Sequence, residues 1–539
     1  MHRSIIAVLL LVIVGSGRAS GQQIKWLVEY DGKSEPVSPT WTSCGVPIVK
    51  TEADGLHLRD DSRKDVGYYQ ANWPANPSME IVVEATVKFG QLTGAISKPG
   101  SKSFWPWRDG APVAVWVSDG QHQEALVFYS KGIGNCTDRF VLMDTANEFH
   151  TYQMVIRGTD MSVAVDGQVK IKGQNAFWKR APEGQPFLRF GSNSKYATGD
   201  AVWKSVRLGV RKPTSAPPDP LVKVTASQPW EITRPELKYR PTRPYLYDVG
   251  RGVLMMSVAE GPDAFHEPYG VMISQDEGKT WTPAKGMEET PDASLPMIRL
   301  NDGRVVGPSR WTWVQPDLSL VGRTAIWEPD LRKFDMFESR MALPPEFSAK
   351  SMPFTCERHI FLEEDGSLRM AGYTKTGPST PEGNRSRRRY SHLVRSTDLG
   401  KTWTHDAVIG AGGEPAVVKL GCGKMTAILR TGPFMPFVQT FSEDNGKTWT
   451  NEREIEEGSV CPDLVLMSNG LLACSYGRPT SCLMFSADGG KTWTAHQVIT
   501  EKMGFNYSGI IEVRPGRLLY LHDAGGLQGL YVDVQRLDR

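Results

Sequence analysis

One eight-residue pattern occurs four times in the C-terminal half of this chain: Ser274-Gln-Asp-Glu-Gly-Lys-Thr-Trp281, Ser396-Thr-Asp-Leu-Gly-Lys-Thr-Trp403, Ser442-Glu-Asp-Asn-Gly-Lys-Thr-Trp449 and Ser486-Ala-Asp-Gly-Gly-Lys-Thr-Trp493. The last three copies begin at 396, 442 and 486, which is 46 and then 44 residues apart. That period suits one four-stranded blade of a radial propeller. Each copy reads as a tight hairpin turn. Its Ser and Asp side chains satisfy turn amides, its Gly takes a positive φ, and its Trp anchors the turn against a neighbouring sheet. Between the copies lie strand pairs joined by Asp-Gly or Asn-Gly turns, as at Leu300-Asn-Asp-Gly303, Glu364-Asp-Gly366 and Ser468-Asn-Gly470. Counting these units predicts six blades, near residues 241–282, 295–340, 355–403, 412–449, 459–493 and 505–539, with 222–240 supplying a closing outer strand.

The 539 residues exceed what one core accommodates, so more than one domain is expected. Four prolines in Pro213-Thr-Ser-Ala-Pro-Pro-Asp-Pro220 place an extended linker at 213–221. Upstream, short alternating runs separated by Gly, Asn and Asp predict many strands and few helices. Phe149 to Arg157 and Met161 to Val169 alternate faces and turn at Asp166-Gly167. These runs resemble the paired strands of concanavalin-like or laminin-G-like jelly rolls, which implies such a domain over 22–212, as a carbohydrate-binding or packing module. The expected fold is all-β, an N-terminal jelly-roll sandwich followed by a six-bladed propeller over 222–539.

Charge and cysteine usage narrow the function. The 62 basic and 60 acidic residues nearly cancel, so no global field points to nucleic acid or an anionic membrane. The local run Arg385, Arg387, Arg388 and Arg389 reads as a solvated loop. His2 and Arg3, the apolar run Ile5 to Val14, and the small residues from Gly15 to Gly21 form the pattern of a secretory signal over 1–21, so a secreted or periplasmic product is expected. The apolar run is too short to span a bilayer and no later stretch is long enough, so no membrane span is expected. Seven cysteines cannot form a complete disulfide framework. Cys461 and Cys474 flank a hairpin-like run and read equally as a bridge or as two buried thiols. No cysteine or histidine spacing suggests a metal site.

The repeated octet resembles the Asp box of the sialidase superfamily, and the resemblance covers roughly 235–539. In that family three arginines grip the substrate carboxylate, a tyrosine attacks the anomeric carbon, a glutamate takes the tyrosine proton and an aspartate serves as acid and base. Gly413-Glu-Pro-Ala-Val-Val-Lys-Leu420 with Ala427-Ile-Leu-Arg430 is similar to the segment holding the glutamate and second arginine, which nominates Glu414 and Arg430. Leu471 to Arg478 is similar to the strand bearing the third arginine, and Tyr507-Ser-Gly-Ile-Ile-Glu-Val513 to the segment opening with the nucleophile; these nominate Arg478 and Tyr507. Tyr239-Arg-Pro-Thr-Arg-Pro-Tyr-Leu246 resembles the opening arginine signature, with Arg243 preferred to Arg240. Asp263, eleven residues before the first box serine, fits the spacing of the acid, with Asp292 in reserve. Many relatives carry another arginine where this chain has Gly261-Pro262.

Chemistry accounts for these residue types. A sugar with a carboxylate beside its anomeric carbon repels an Asp or Glu nucleophile, and a neutral phenol activated by a nearby carboxylate avoids the clash. Arginine presents two parallel donors to a carboxylate and stays charged at every working pH. The resemblance implies a retaining exo-sialidase acting on sialylated or other acidic glycans, with no metal or organic cofactor. Two alternatives stand beside it: a superfamily glycosidase for another acidic sugar, and a non-catalytic glycan-binding propeller. Trp311 and Trp313, at alternate strand positions, read either as a sugar subsite or as core.

Overall fold

The structure is a computed structural model. It describes residues 24–537 apart from 46–47, 62–65, 77, 95–112, 130–131, 136–139, 174–175, 178–180, 182–183, 193–196, 214–220, 234–240, 261–268, 285–295, 310–312, 315–316, 318, 348–353, 375–388, 433–435, 451, 456–459, 479, 495 and 501–505. Among the described residues the chain is all-β, with a single 3-10 turn at Pro345–Phe347. No helix there is long and apolar enough to cross a membrane. The expected signal segment, most of the linker, and the candidates Arg240, Asp263, Asp292 and Trp311 lie outside the described residues, as does the side chain of Trp313.

Two antiparallel sheets form the N-terminal part, one of eight strands and one of seven. They enclose one core built around Trp41, Tyr69, Phe128, Tyr152, Phe190 and Trp203. His150–Arg157 shows how the sequence dictates this: Tyr152, Met154 and Ile156 face inward at every second position while their neighbours face out. Burying each such side chain contributes roughly 1.5–3 kcal/mol. The turn at Asp166-Gly167 joins Asp160–Val165 to Gln168–Gly173, and both turn residues have positive φ, 49° and 82°. Asp166 offsets its unfavourable backbone by accepting the Thr151 amide at 2.9 Å.

Six blades follow. Their first strands are Pro241–Asp248, Ile298–Arg299, Thr355–Leu362, Gly413–Gly421, Val460–Leu466 and Ser508–Arg514. The first strands of blades 1, 3, 4, 5 and 6 approach one another, so this edge of each blade lines the axis. Val222–Ala226 pairs with the last strand of blade 6, Gln528–Arg536, and closes the ring as the sequence suggested. Each seam between neighbouring blades has its own hydrophobic cluster, and the six clusters continue around the ring.

The repeated octets sit at turns between the third and fourth strands of blades 1, 3, 4 and 5. In blade 4, Ser442 Oγ donates to Asp444 Oδ1 at 2.8 Å and accepts the Gly446 amide at 2.8 Å. Asp444 also takes the Thr448 amide at 2.9 Å and the Thr448 hydroxyl at 2.6 Å. Blade 2 lacks an octet of its own. Its outer strand Phe334–Ala342 runs parallel to Thr402–Ala411 of blade 3, and Ser339 Oγ donates to Gly400 O at 2.7 Å. The blade 3 octet thereby holds two blades.

Candidate active site at the inner ends of the blades

The first strands of blades 1, 3, 4 and 5 each carry an irregular register near their start, between Thr242 and Tyr245, Cys356 and Ile360, Gly413 and Ala416, and Val460 and Asp463. A bulge bends a strand and re-aims the side chains it contains. The residues it re-aims here are Arg243, the Glu357-Arg358-His359 run, Glu414 and Cys461. Arg243, Glu414 and Cys461 have positive φ of 50°, 49° and 46°, as do Arg478 at 65° and Asn506, beside Tyr507, at 51°. Non-glycine residues in this region cost on the order of 1–2 kcal/mol each. Five of them converge where the blades meet, so packing holds them there in an arrangement their own backbones disfavour.

Within this ring, the structure brings together five of the six nominated residues. Arg243, Glu414, Arg430, Arg478 and Tyr507 are all buried. Tyr507 lies between two guanidinium groups, with the Arg478 carbon at 5.2 Å and the Arg243 carbon at 6.0 Å from the ring centre. Arg478 Nη2 donates to the Tyr507 hydroxyl at 3.3 Å. Arg430 forms a close ion pair with Glu414 Oε1, and Arg389 Nη1 approaches the same oxygen at 3.5 Å. The other carboxylate oxygen accepts the Cys461 amide at 3.0 Å. Burial alone pushes the Glu414 carboxyl up, but the Arg430, Arg389 and Arg478 charges outweigh it and hold the group below the ordinary glutamate range. Arg430 is driven the other way: burial lowers its pKa, the Glu414 charge raises it, and the net shift is upward.

Several further residues, whose place is not evident from the sequence, reach the axis as well. Asp523, after the second strand of blade 6, accepts the Tyr507 amide at 2.9 Å on Oδ1 and the Arg243 amide at 3.0 Å on Oδ2. Burial raises its carboxyl to about 6, against the lowering effect of those two amides and of Arg478 and Arg243. Arg358 of blade 3 reaches Asp463 of blade 5 at 3.2 Å and Cys461 Sγ at 3.0 Å, and lies 4.6 Å from the Tyr245 ring centre in blade 1. Asp463 in turn accepts the Ile510 amide of blade 6 at 3.0 Å. A lone Asp before Ala-Gly-Gly reads as a turn former, and a lone Arg in a strand as a surface cation; a turn after the second strand of blade 6 brings Asp523 inward, and the bulge between Cys356 and Ile360 does so for Arg358.

Cys461 and Cys474 are free and buried, which decides between the two readings left open for them; Cys136 lies outside the described residues. Burial pushes the Cys461 thiol up to about 12, against the pull of Arg358, so it stays protonated. Among the described residues, Glu52, Asp54 and His57 are grouped closely enough for a metal. They lie in the N-terminal sandwich, where His57 Nε2 bonds Asp54 at 2.7 Å and Lys50 pairs with Glu52.

The octets, the six blades and the residues at their inner ends define a class of protein: a six-bladed β-propeller with a shared turn octet in four of its blades. Residues 336–522 match the BNR repeat-like domain family. No curated protein matches the chain. Among solved structures, it is similar to a Dyadobacter fermentans protein of unknown function (18% identity, 58% of this chain and 99% of that one, TM-score 0.47). It is also similar to a Hadza microbial sialidase (15%, 88% and 97%, TM-score 0.43). The NanB sialidase of Streptococcus pneumoniae is a third such structure (11%, 86% and 96%, TM-score 0.41).

Proposed function

We propose that this protein is an exported, retaining exo-sialidase that removes terminal sialic acids from glycans. One observation carries the reading: three arginines, a glutamate and a tyrosine from blades 1, 4, 5 and 6 meet at the axis, with the tyrosine between two guanidinium groups. Arg243, Arg430 and Arg478 take the substrate carboxylate. Tyr507 Oη attacks the anomeric carbon as the bond to the departing glycan oxygen breaks. Asp263 protonates that oxygen, and Glu414 receives the phenol proton.

In the second step water attacks the anomeric carbon, Asp263 accepts the water proton, and Tyr507 leaves with the proton returned by Glu414. An ordinary phenol is protonated at neutral pH and needs a base. A glutamate held ionised by its arginine neighbours supplies one, and the Arg478 donor favours the phenolate. Gly261-Pro262, where many members of the family it resembles carry an arginine, favours a second reading, the same chemistry on another acidic sugar.

Tyr507→Phe keeps the ring and its packing and removes the attacking oxygen. The variant should fold, bind a sialic acid analogue and lose nearly all turnover. A fluorinated sialoside should label the native chain on Tyr507 and leave the variant unlabelled, with the α-anomer released first by the native enzyme. Inversion, labelling elsewhere or an active phenylalanine variant overturns the mechanism. Turnover of a different acidic glycoside selects the second reading. Binding without turnover by either protein selects a glycan-binding propeller.

A further inference from the structure

Cys461, on the first strand of blade 5, has every one of its polar groups engaged by another blade. Its backbone is left-handed, with φ 46°, inside the bulge between Val460 and Asp463, and the Pro462 that follows brings no amide of its own. At the bulge the Cys461 amide leaves the strand ladder and donates to Glu414 Oε2 at 3.0 Å. The rest of the residue is gripped from blade 3. Arg358 Nη2 donates to Cys461 Sγ at 3.0 Å and to its carbonyl at 3.4 Å, while Nη1 donates to Asp463 Oδ2 at 3.2 Å. That same Asp463 oxygen accepts the Ile510 amide of blade 6 at 3.0 Å. Both side chains of the Arg358–Asp463 pair are buried. A buried ion pair adds little stability over well-packed apolar side chains, so stability alone does not account for it.

We propose that Arg358 is a positioning residue for Glu414: from blade 3 it holds the strained backbone of Cys461 in blade 5, and the Cys461 amide holds the carboxylate of blade 4. The role in turnover rests on the sialidase reading; the hold on Cys461 does not. The two oxygens of Glu414 have separate partners. Oε1 faces the Arg430 and Arg389 guanidinium groups, whereas Oε2 has the Cys461 amide, so the amide keeps the carboxylate from swinging wholly toward the arginines. A left-handed cysteine relaxes toward the extended region once its carbonyl and sulfur are released, and its amide turns with it. Arginine suits this task because one planar fork serves three acceptors, two from Cys461 and one from Asp463. The guanidinium is further confined by the Tyr245 ring of blade 1, centred 4.6 Å away, and by Gly509 of blade 6, where a β-carbon would lie 3.5 Å from Nη1.

The test uses the full chain and Arg358→Lys, which keeps a charge beside Asp463 but replaces the fork by one ammonium. Labelling cysteine alone with 15N limits the amide spectrum to seven signals, and the signal missing from Cys461→Ser is that of Cys461. Hydrogen exchange of that amide should speed up at least about tenfold in the lysine variant and stay unchanged at Cys482, on the third strand of the same blade. On a soluble sialoside, kcat should fall at least about tenfold with KM within about threefold, because the three clamp arginines are untouched. Adding Arg358→Lys to Glu414→Gln should cost less than about threefold more, since a residue that acts through Glu414 then has nothing left to position. Unchanged exchange at Cys461, an unchanged kcat, or two losses that multiply overturns the proposal. If the lysine variant does not fold, Arg358→Met together with Asp463→Asn removes both charges and keeps an acceptor for the Ile510 amide. The same faster exchange at Cys461 is expected there, and constant protection overturns the hold. If the native chain turns over no acidic glycoside, the functional reading fails, while the exchange measurement still decides whether Arg358 holds the Cys461 amide.

Discussion

Arg430 shows at the scale of one residue why charge alone is a poor description of this site. It is buried, its guanidinium is tied to Glu414, and its environment includes Tyr507. A lysine keeps the charge but offers a point ammonium where a planar fork with several donors stood. Arg430→Lys should therefore cost about 2–4 kcal/mol of transition-state stabilisation, or roughly thirty-fold to a thousand-fold in kcat/KM. Steady-state kinetics on a soluble sialoside measure this, and near-native values would remove Arg430 from the proposed clamp. Residues such as Arg430 and Glu414 were legible because several motifs arrived in one order along the chain. Asp523, Arg358 and Asp463 were not, because each owes its role to a backbone bulge or a turn that brings it to the axis, and nothing in their immediate neighbours encodes that.

At the scale of the element, the octets divide labour with the inner strands. All four use the same Ser and Asp bonding, yet the Trp anchors differ: Trp281, Trp403 and Trp449 donate to the carbonyl of their own Gly278, Gly400 and Gly446, whereas Trp493 donates to Gln439 Oε1 of the preceding blade. The fourth position of the octet is also left-handed, at Glu277, Leu399 and Asn445, a strain the sequence pattern did not reveal because side chains of any kind occupy it. Each turn therefore needs its Asp to hold a disfavoured backbone. The Asp444 carboxyl is held down at about 2 chiefly by the Thr448 hydroxyl and amide. Asp444→Ala should lower Tm by a few degrees and reduce yield while leaving the kcat of the folded fraction nearly unchanged, because no octet side chain reaches the site. Calorimetry with active-site titration separates the two effects, and a large fall in kcat at unchanged Tm would contradict the division. The six-blade count was legible from the turns. The merging of blades 2 and 3 through their outer strands was not, since a parallel contact of three residue pairs leaves no period in the sequence.

For the molecule as a whole, the question is what the ring needs in order to close. Each seam has its own hydrophobic cluster, and a network along the axis adds to them: Arg358 of blade 3 reaches Asp463 of blade 5, which takes an amide from blade 6. The sequence places its final strand, Gln528–Arg536, beside a strand that precedes blade 1, and Val222 is buried in the cluster between blades 5 and 6. The nominated side chains all come from beyond Arg240, so the N-terminal sandwich contributes none of them. A chain beginning at Leu221 should then keep both the closing strand and the site, and cleave a small soluble sialoside with a kcat within about threefold of the full chain. A chain beginning at Ser227 removes the five paired residues Val222–Ala226 and exposes the stretch from Val532 to Arg536 of the last strand as an open edge, which invites pairing with other chains. That second chain should melt lower and aggregate, and its loss of activity should follow its loss of folded protein. Circular dichroism melting, light scattering and turnover on both chains provide the check. If the chain from Leu221 folds with a normal melting transition and is inactive, the N-terminal sandwich takes part in building the site, and the ring by itself is not the catalytic unit.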